Sequence, residues 1–340
     1  MSYVIVGTGS DLPERVVSND DIERASSDYD RTRTGHSLDE WVLRRAGVST
    51  RHRAAEGEGT SDMAVRAVER ALAVADVGVD EVDLIVLGTF TSDARLPSSV
   101  SVLAQRLGSS AKCLQLETAC TGFVDALLVA TALMTAAGYR TAVVVHAEAM
   151  SAIVDPEQFM YQTIFGDGAG AVVVRNEPGS PYGIEAMRTH TDASVCDWTW
   201  APGGGTKHPI TADVLAARSQ YLSLQYKEIY SFAVEKMVDA THEVLNATHH
   251  TVEDIDWFIP HQAGMNIIGE VVERLKLSPE RLLTSVGHTG NVSGASVVIA
   301  LDEARRAGLL SSGQRIVLPV VGGGMAWGAL SLTWTDPAAA

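Results

Sequence analysis

The stretch CLQLETACTGFVDALLVATALMTAAG, residues 113–138, reads as a short strand, a sharp turn at Thr118-Ala119-Cys120 and an apolar helix that closes at Gly138. A strand feeding a helix through a tight turn is a building unit of layered α/β proteins. The turn sets Cys120 at a helix start, where unpaired amides and the positive dipole end favour a thiolate and offer donors to a developing oxyanion. The thiol pKa is therefore expected to fall from about 8.5 toward neutrality. The competing reading of Cys120 is a small buried hydrophobe, as most free cysteines are. Cys113 and Cys196 lack this setting and read as structural.

Working outward, strand-like runs at VDLIVLGTF (82–90), TAVVVHAEA (141–149) and RIVLPVV (315–321) alternate with helical spacing at 61–75 and 226–248. In the longer helix Ile229, Phe232, Ala233, Met237, Ala240 and Val244 share one face, so it should cover a sheet. The fold class is α/β in layers. VDEVDLIV from Val79 aligns with VEDIDWFI from Val252, each an acidic turn before a buried strand, which points to two similar halves. Residues 1–176 would form the half with the cysteine and 177–340 the second, meeting near Glu177-Pro178-Gly179-Ser180. Asp192 to Asp213, with Trp198, Trp200, Pro202 and three consecutive glycines, reads as an excursion over a site or as a plain surface loop.

Composition excludes several classes. The chain has 340 residues, 46% hydrophobic and 20% charged, enough to bury a core. A formal net charge of -16 argues against nucleic acid or an anionic membrane as partner, so an anionic ligand must find a local basic patch. Three cysteines have neither the paired count of a disulfide framework nor the spacing of a metal site, which suits a reducing cytoplasm and leaves no metal to expect. The apolar run Ala126 to Gly138 falls short of the roughly 18 residues a membrane span needs and reads as a buried helix.

A cysteine nucleophile needs a partner to manage protons. His261 follows the buried strand IDWFIP and opens HQAGMNIIGEVVERL as a helix, placing its ring at a strand end, where α/β proteins assemble sites. His288 lies in VGHTGNVSGAS with Asn291, before a helix at 295–307, and either histidine could face Cys120. His52, His249 and His250 read as structural or surface residues. In VVGGGMAWGALSLTW (320–334) the glycines allow close backbone approach, either to give an amide to a thioester oxygen or to make a tight turn between strands. VIVGTGSDLPE lacks the third glycine of a dinucleotide site, and FGDGAGAVVV (165–174) lacks the lysine of a P-loop and reads as a turn entering a strand.

Taken in order, ETACTGF around Cys120, PHQA around His261, GNVSGAS around Asn291 and VGGGMAWG near the C-terminus resemble the motifs of the β-ketoacyl synthase III family. The likeness extends to IVGTGSDLPERVVSNDDI, WVLRRAGVSTRHRA and IFGDGAGAVV, nearly the whole chain. It implies a thiolase-type five-layered αβαβα fold in a homodimer. It implies Cys120 as the acyl-accepting nucleophile, and His261 and Asn291 as the pair that holds a thioester enolate. The backbone amides of Cys120 and Gly323 would form an oxyanion hole, and Phe123 and Leu96 would line the acyl tunnel. Trp41 and Arg45, in the densest basic stretch of the chain, match positions that hold the coenzyme A nucleotide. No cofactor would be bound permanently: acyl-CoA or thioesters of acyl carrier protein would come as substrates. Gly264 and Asn266 replace the family's common HQANxR ending, and Phe159-Met160-Tyr161-Gln162 stands where initiating members carry an adenine-holding arginine. These departures move the expectation from housekeeping fatty-acid initiation toward polyketide priming or natural-product acylation, with simple acyl transfer as the alternative reaction.

Overall fold

The computed structural model describes residues 2–336. Five strands form one sheet in the spatial order Tyr3–Asp11, Asp167–Asn176, Thr141–Ala149, Leu84–Gly88, Lys112–Leu116. The first two pairings are antiparallel and the last two parallel. A second sheet runs Gly183–Thr191, Ala326–Thr333, Arg315–Gly322, Trp257–Phe258, with two antiparallel pairings and then a parallel one. The two halves thus repeat one pattern, and the match between Val79 and Val252 marks corresponding places: both open a short 3-10 turn before a strand whose named partner is parallel.

Burial follows strand periodicity. Leu84 and Val86 face the space between the sheets, whereas Ile85 and Leu87 face outward. Both faces are covered, so Thr141–Ala149 is buried along its whole length. Helices Gly122–Ala137 and Ala295–Arg306 fill the middle, packing Leu127, Met134, Val297 and Leu301 against both sheets. Thr60–Ala75 and Ser99–Leu107 cover the outer face of the first sheet, and Tyr226–Ala247 and Met265–Leu275 that of the second. The order is helix, sheet, helix, sheet, helix, the thiolase-type arrangement.

Two expectations change. His261 does not open a helix; Met265–Leu275 begins four residues later, after Gly264 at φ +137, a backbone shape that excludes most side chains. The apolar central segment is also longer than the run after Asp125. Ala119–Ala137 is 19 residues and apolar enough to cross a membrane by length and composition. Packing decides its role, since Phe123, Val124, Ala126, Leu127 and Ala130 are fully enclosed by the two sheets.

Candidate active site

The chain leaves strand Lys112–Leu116, takes a left-handed step at Ala119 (φ +48) and forms a 3-10 turn, Ala119–Thr121, before the helix starts at Gly122. Cys120 sits in that turn at the floor of a cavity of about 370 Å³. Phe90, Met150, Ile153, Ile164, Leu222 and Ile229 make its walls largely apolar. Thr199, Trp200 and Ala201 from the 192–213 excursion line it too, which resolves that segment in favour of a site cover.

His261 and Asn291 reach the same cavity from the second half, both nearly buried. His261 follows the Trp257–Phe258 strand, and its amide donates to Pro319 O at 2.8 Å. Asn291 is clamped through its backbone, its N–H donating to Ile164 O and its carbonyl accepting from Gly166 N–H. Its side-chain Oδ1 accepts the Ser293 amide at 2.8 Å, which turns Nδ2 toward His261 Nε2, 3.5 Å away. His288 is elsewhere: Nε2 pairs with Glu303 at 2.9 Å on an accessible surface, and that carboxylate raises its pKa.

The thiol departs from expectation. Burial pushes Cys120 up to about 11, with the Glu148 carboxylate adding to the effect, against donation from Ser293 Oγ and the amides of Gly323 and Cys120. The dipole argument loses because the sulfur lies one turn ahead of the α-helix, and desolvation of a thiolate outweighs a few partial charges. Both amides act on the sulfur in the direction opposite to burial. Gly322 is needed for this: a β-carbon there would come within 2.7 Å of Cys120 N. Burial also pushes His261 down to about 4, with His146 as a smaller contributor, so the ring is neutral at physiological pH.

Phe123 and Leu96 do not line the cavity. Phe123 is 0% exposed and points into the core between the sheets, because the helix turns its face away from the site one residue after Gly122. Leu96 is 87% exposed on a loop. Trp41 and Arg45 lie together on helix Leu38–Arg45, the guanidinium 4.3 Å from the indole centroid and the ring edge-on to Phe159. That stack occupies one indole face.

Three further residues stand next to the site, and the sequence reading assigned none of them a role. Ser293 donates to Cys120 Sγ at 3.4 Å, and the internal repeat could have pointed to it. His146 and Glu148 are fully buried, with Nε2 and Oε1 3.0 Å apart. A β-carbon at Gly88, Gly122 or Gly294 would fall within 2.5, 2.5 or 2.7 Å of the His146 ring. Glu148 also accepts from Thr89 Oγ1, Thr91 Oγ1 and the amides of Phe90 and Thr91, which braces the cavity wall at Phe90. Among the described residues no cluster of three or more histidine, cysteine or carboxylate side chains could hold a metal ion.

Residues 114–193 match the model of the 3-oxoacyl-[acyl-carrier-protein] synthase III family and 245–334 that of its C-terminal part. A β-ketoacyl-[acyl-carrier-protein] synthase III from Streptomyces coelicolor is 35% identical over 338 residues, 98% of each chain. The synthase III of Aquifex aeolicus superposes with a TM-score of 0.88 at 32% identity, covering 98% of this chain and all of that one. The priming β-ketosynthase of the R1128 polyketide pathway gives 0.88 at 30%, covering 99% and 97%. With that extent of sequence and fold in common, the chain belongs to the β-ketoacyl-[acyl-carrier-protein] synthase III family of condensing enzymes.

Proposed function

We propose that the protein carries out a decarboxylative Claisen condensation through an acyl-Cys120 intermediate. The observation that carries this is the meeting of Cys120, His261 and Asn291 from two halves of the chain at one apolar cavity. In the first stage Cys120 Sγ attacks an acyl thioester, the carbonyl oxygen takes hydrogen bonds from the amides of Cys120 and Gly323, and the donor's thiol leaves with the cysteine proton. In the second stage a malonyl-type thioester loses carbon dioxide. His261 Nε2–H and Asn291 Nδ2–H hold the enolate oxygen, and as neutral donors they do so without quenching the carbanion. The enolate carbon then attacks the acyl carbonyl, a carbon–carbon bond forms and the carbon–sulfur bond breaks, returning the electron pair to Sγ.

Acyl-CoA or an acyl carrier protein would present the substrates to a cytoplasmic homodimer, in a specialised pathway such as polyketide priming. Trp41 and Arg45 would meet the carrier arm. Asn266, bonded to the Tyr226 hydroxyl at 2.8 Å, offers no cation to an acidic carrier at that position, which supports the specialised reading. Malonyl thioester labelled in its free carboxylate tests the reaction: label should leave as carbon dioxide in step with product. Full retention of label in an ester or amide product would establish simple acyl transfer instead. Intact mass should show an acyl adduct on the wild-type chain that is missing in Cys120→Ala.

A further inference from the structure

Ser293 stands opposite the nucleophile, its hydroxyl donating to Cys120 Sγ at 3.4 Å. It is fully buried and holds φ +55, a left-handed backbone rarely adopted by a residue with a side chain. The hydrogen bond that the Ser293 N–H donates to Asn291 Oδ1 fixes this turn, which feeds the second central helix at Ala295. The sequence offset that carries Val79–Glu81 onto Val252–Asp254, and the helix start at Gly122 onto Ala295, also carries Cys120 onto Ser293. The turns that open the two central helices therefore meet tip to tip, thiol against hydroxyl.

We propose that Ser293 is a catalytic residue whose hydroxyl stabilises the Cys120 sulfur whenever that sulfur carries negative charge. The proposal rests on the reading of Cys120 as the acyl carrier. A thioester sulfur is a poor hydrogen-bond acceptor and a thiolate a better one, so the contact strengthens as charge develops. Charge develops twice: as the thiol proton departs during attack on the donor thioester, and as the carbon–sulfur bond of the acyl-enzyme breaks and its electron pair returns to Sγ. Ser293 keeps its own proton in both steps.

The test is the rate at which iodoacetamide alkylates Cys120 at pH 8.5 in the full chain, located by peptide mapping, for wild type, Ser293→Ala and Ser293→Gly. Alkylation reads the thiolate and requires no acyl donor. Both variants should react about tenfold more slowly. Glycine adopts φ +55 freely, so a purely backbone role would leave Ser293→Gly at the wild-type rate while Ser293→Ala falls. That pattern, or wild-type or faster rates in both, overturns the proposal. Melting temperatures measured alongside identify a variant that is merely unfolded, and Ser293→Gly, relieved of backbone strain, keeps the comparison informative if Ser293→Ala does not fold. Failure of the wild-type chain to take up any acyl group would defeat the acyl-Cys120 reading and leave the alkylation result intact.

Discussion

A buried thiol at about 11 and a buried imidazole at about 4 describe a site whose resting state carries no charge on either group. Ionisation is then paid for by substrate binding and attack, when donors at the sulfur gain a charged acceptor. It follows that alkylation of Cys120 by iodoacetamide should keep climbing with pH toward 11, where an exposed cysteine would level off near 9. A plateau by pH 9 would contradict the desolvation argument. His261 gives a prediction on the acid side. Its folded pKa lies below the unfolded value of about 6.5, so the folded state binds fewer protons there. Its contribution to stability is complete above about pH 6.5 and is lost as pH falls toward 4. His261→Gln should flatten that part of the curve of unfolding free energy against pH, measured by urea denaturation.

Among the elements, the glycine strand end at Arg315–Gly322 does more for the site than its ordinary turn reading implies. Its backbone lies against the Cys120 turn, with no room for a β-carbon at Gly322. Gly322→Ala should lower kcat/KM for condensation by about 100-fold, since a displacement near 1 Å at reacting groups has that effect. Its melting temperature should fall by only a few degrees, because displacing one local turn costs about 1–3 kcal/mol. Loss of folding together with activity would show that the contact is structural first. The elements themselves were legible: strand 141–149 and the helices read at 61–75 and 226–248 emerge as Thr141–Ala149, Thr60–Ala75 and Tyr226–Ala247. Strong periodicity and flanking turn residues suffice for that. Which way a helix turns inside a double-covered core is another matter, and Phe123 shows it: both sides of Gly122–Ala137 are apolar, so sequence alone could not say which side meets the cavity.

At the scale of the molecule, the halves are joined through polar contacts as well as the apolar middle layer. Asp302, on the second half's central helix, is buried and accepts from Thr8 and Ser10 of the first strand, each at 2.7 Å, and pairs with Arg305 and Arg306 at 3.0 Å. Burial raises its pKa, but the Ser10 and Thr8 hydroxyls and Arg305 outweigh it, and the net shift is downward. Its stabilisation is therefore present above the unfolded carboxylate pKa and lost as pH falls through the folded one. Asp302→Ala should cost about 3 kcal/mol in chemical denaturation at pH 7, because it takes the acceptor from two buried hydroxyl protons as well as removing the charge pair. Both arginines retain solvent contact, which keeps the figure below that of a fully buried pair.

The sequence by itself determined the layered α/β class, pointed to two similar halves, and offered Cys120 with His261 or His288 as candidates and, through the family resemblance, Asn291, because strand and helix periods and short turn motifs are local properties. Tertiary structure decided the rest. It set the direction of the Cys120 pKa shift, chose His261 over His288, took Phe123 and Leu96 out of the cavity wall, and brought Ser293, His146 and Glu148 to the site. Each of these depends on desolvation or contact between residues far apart in the chain, and no local pattern records how two halves face one another.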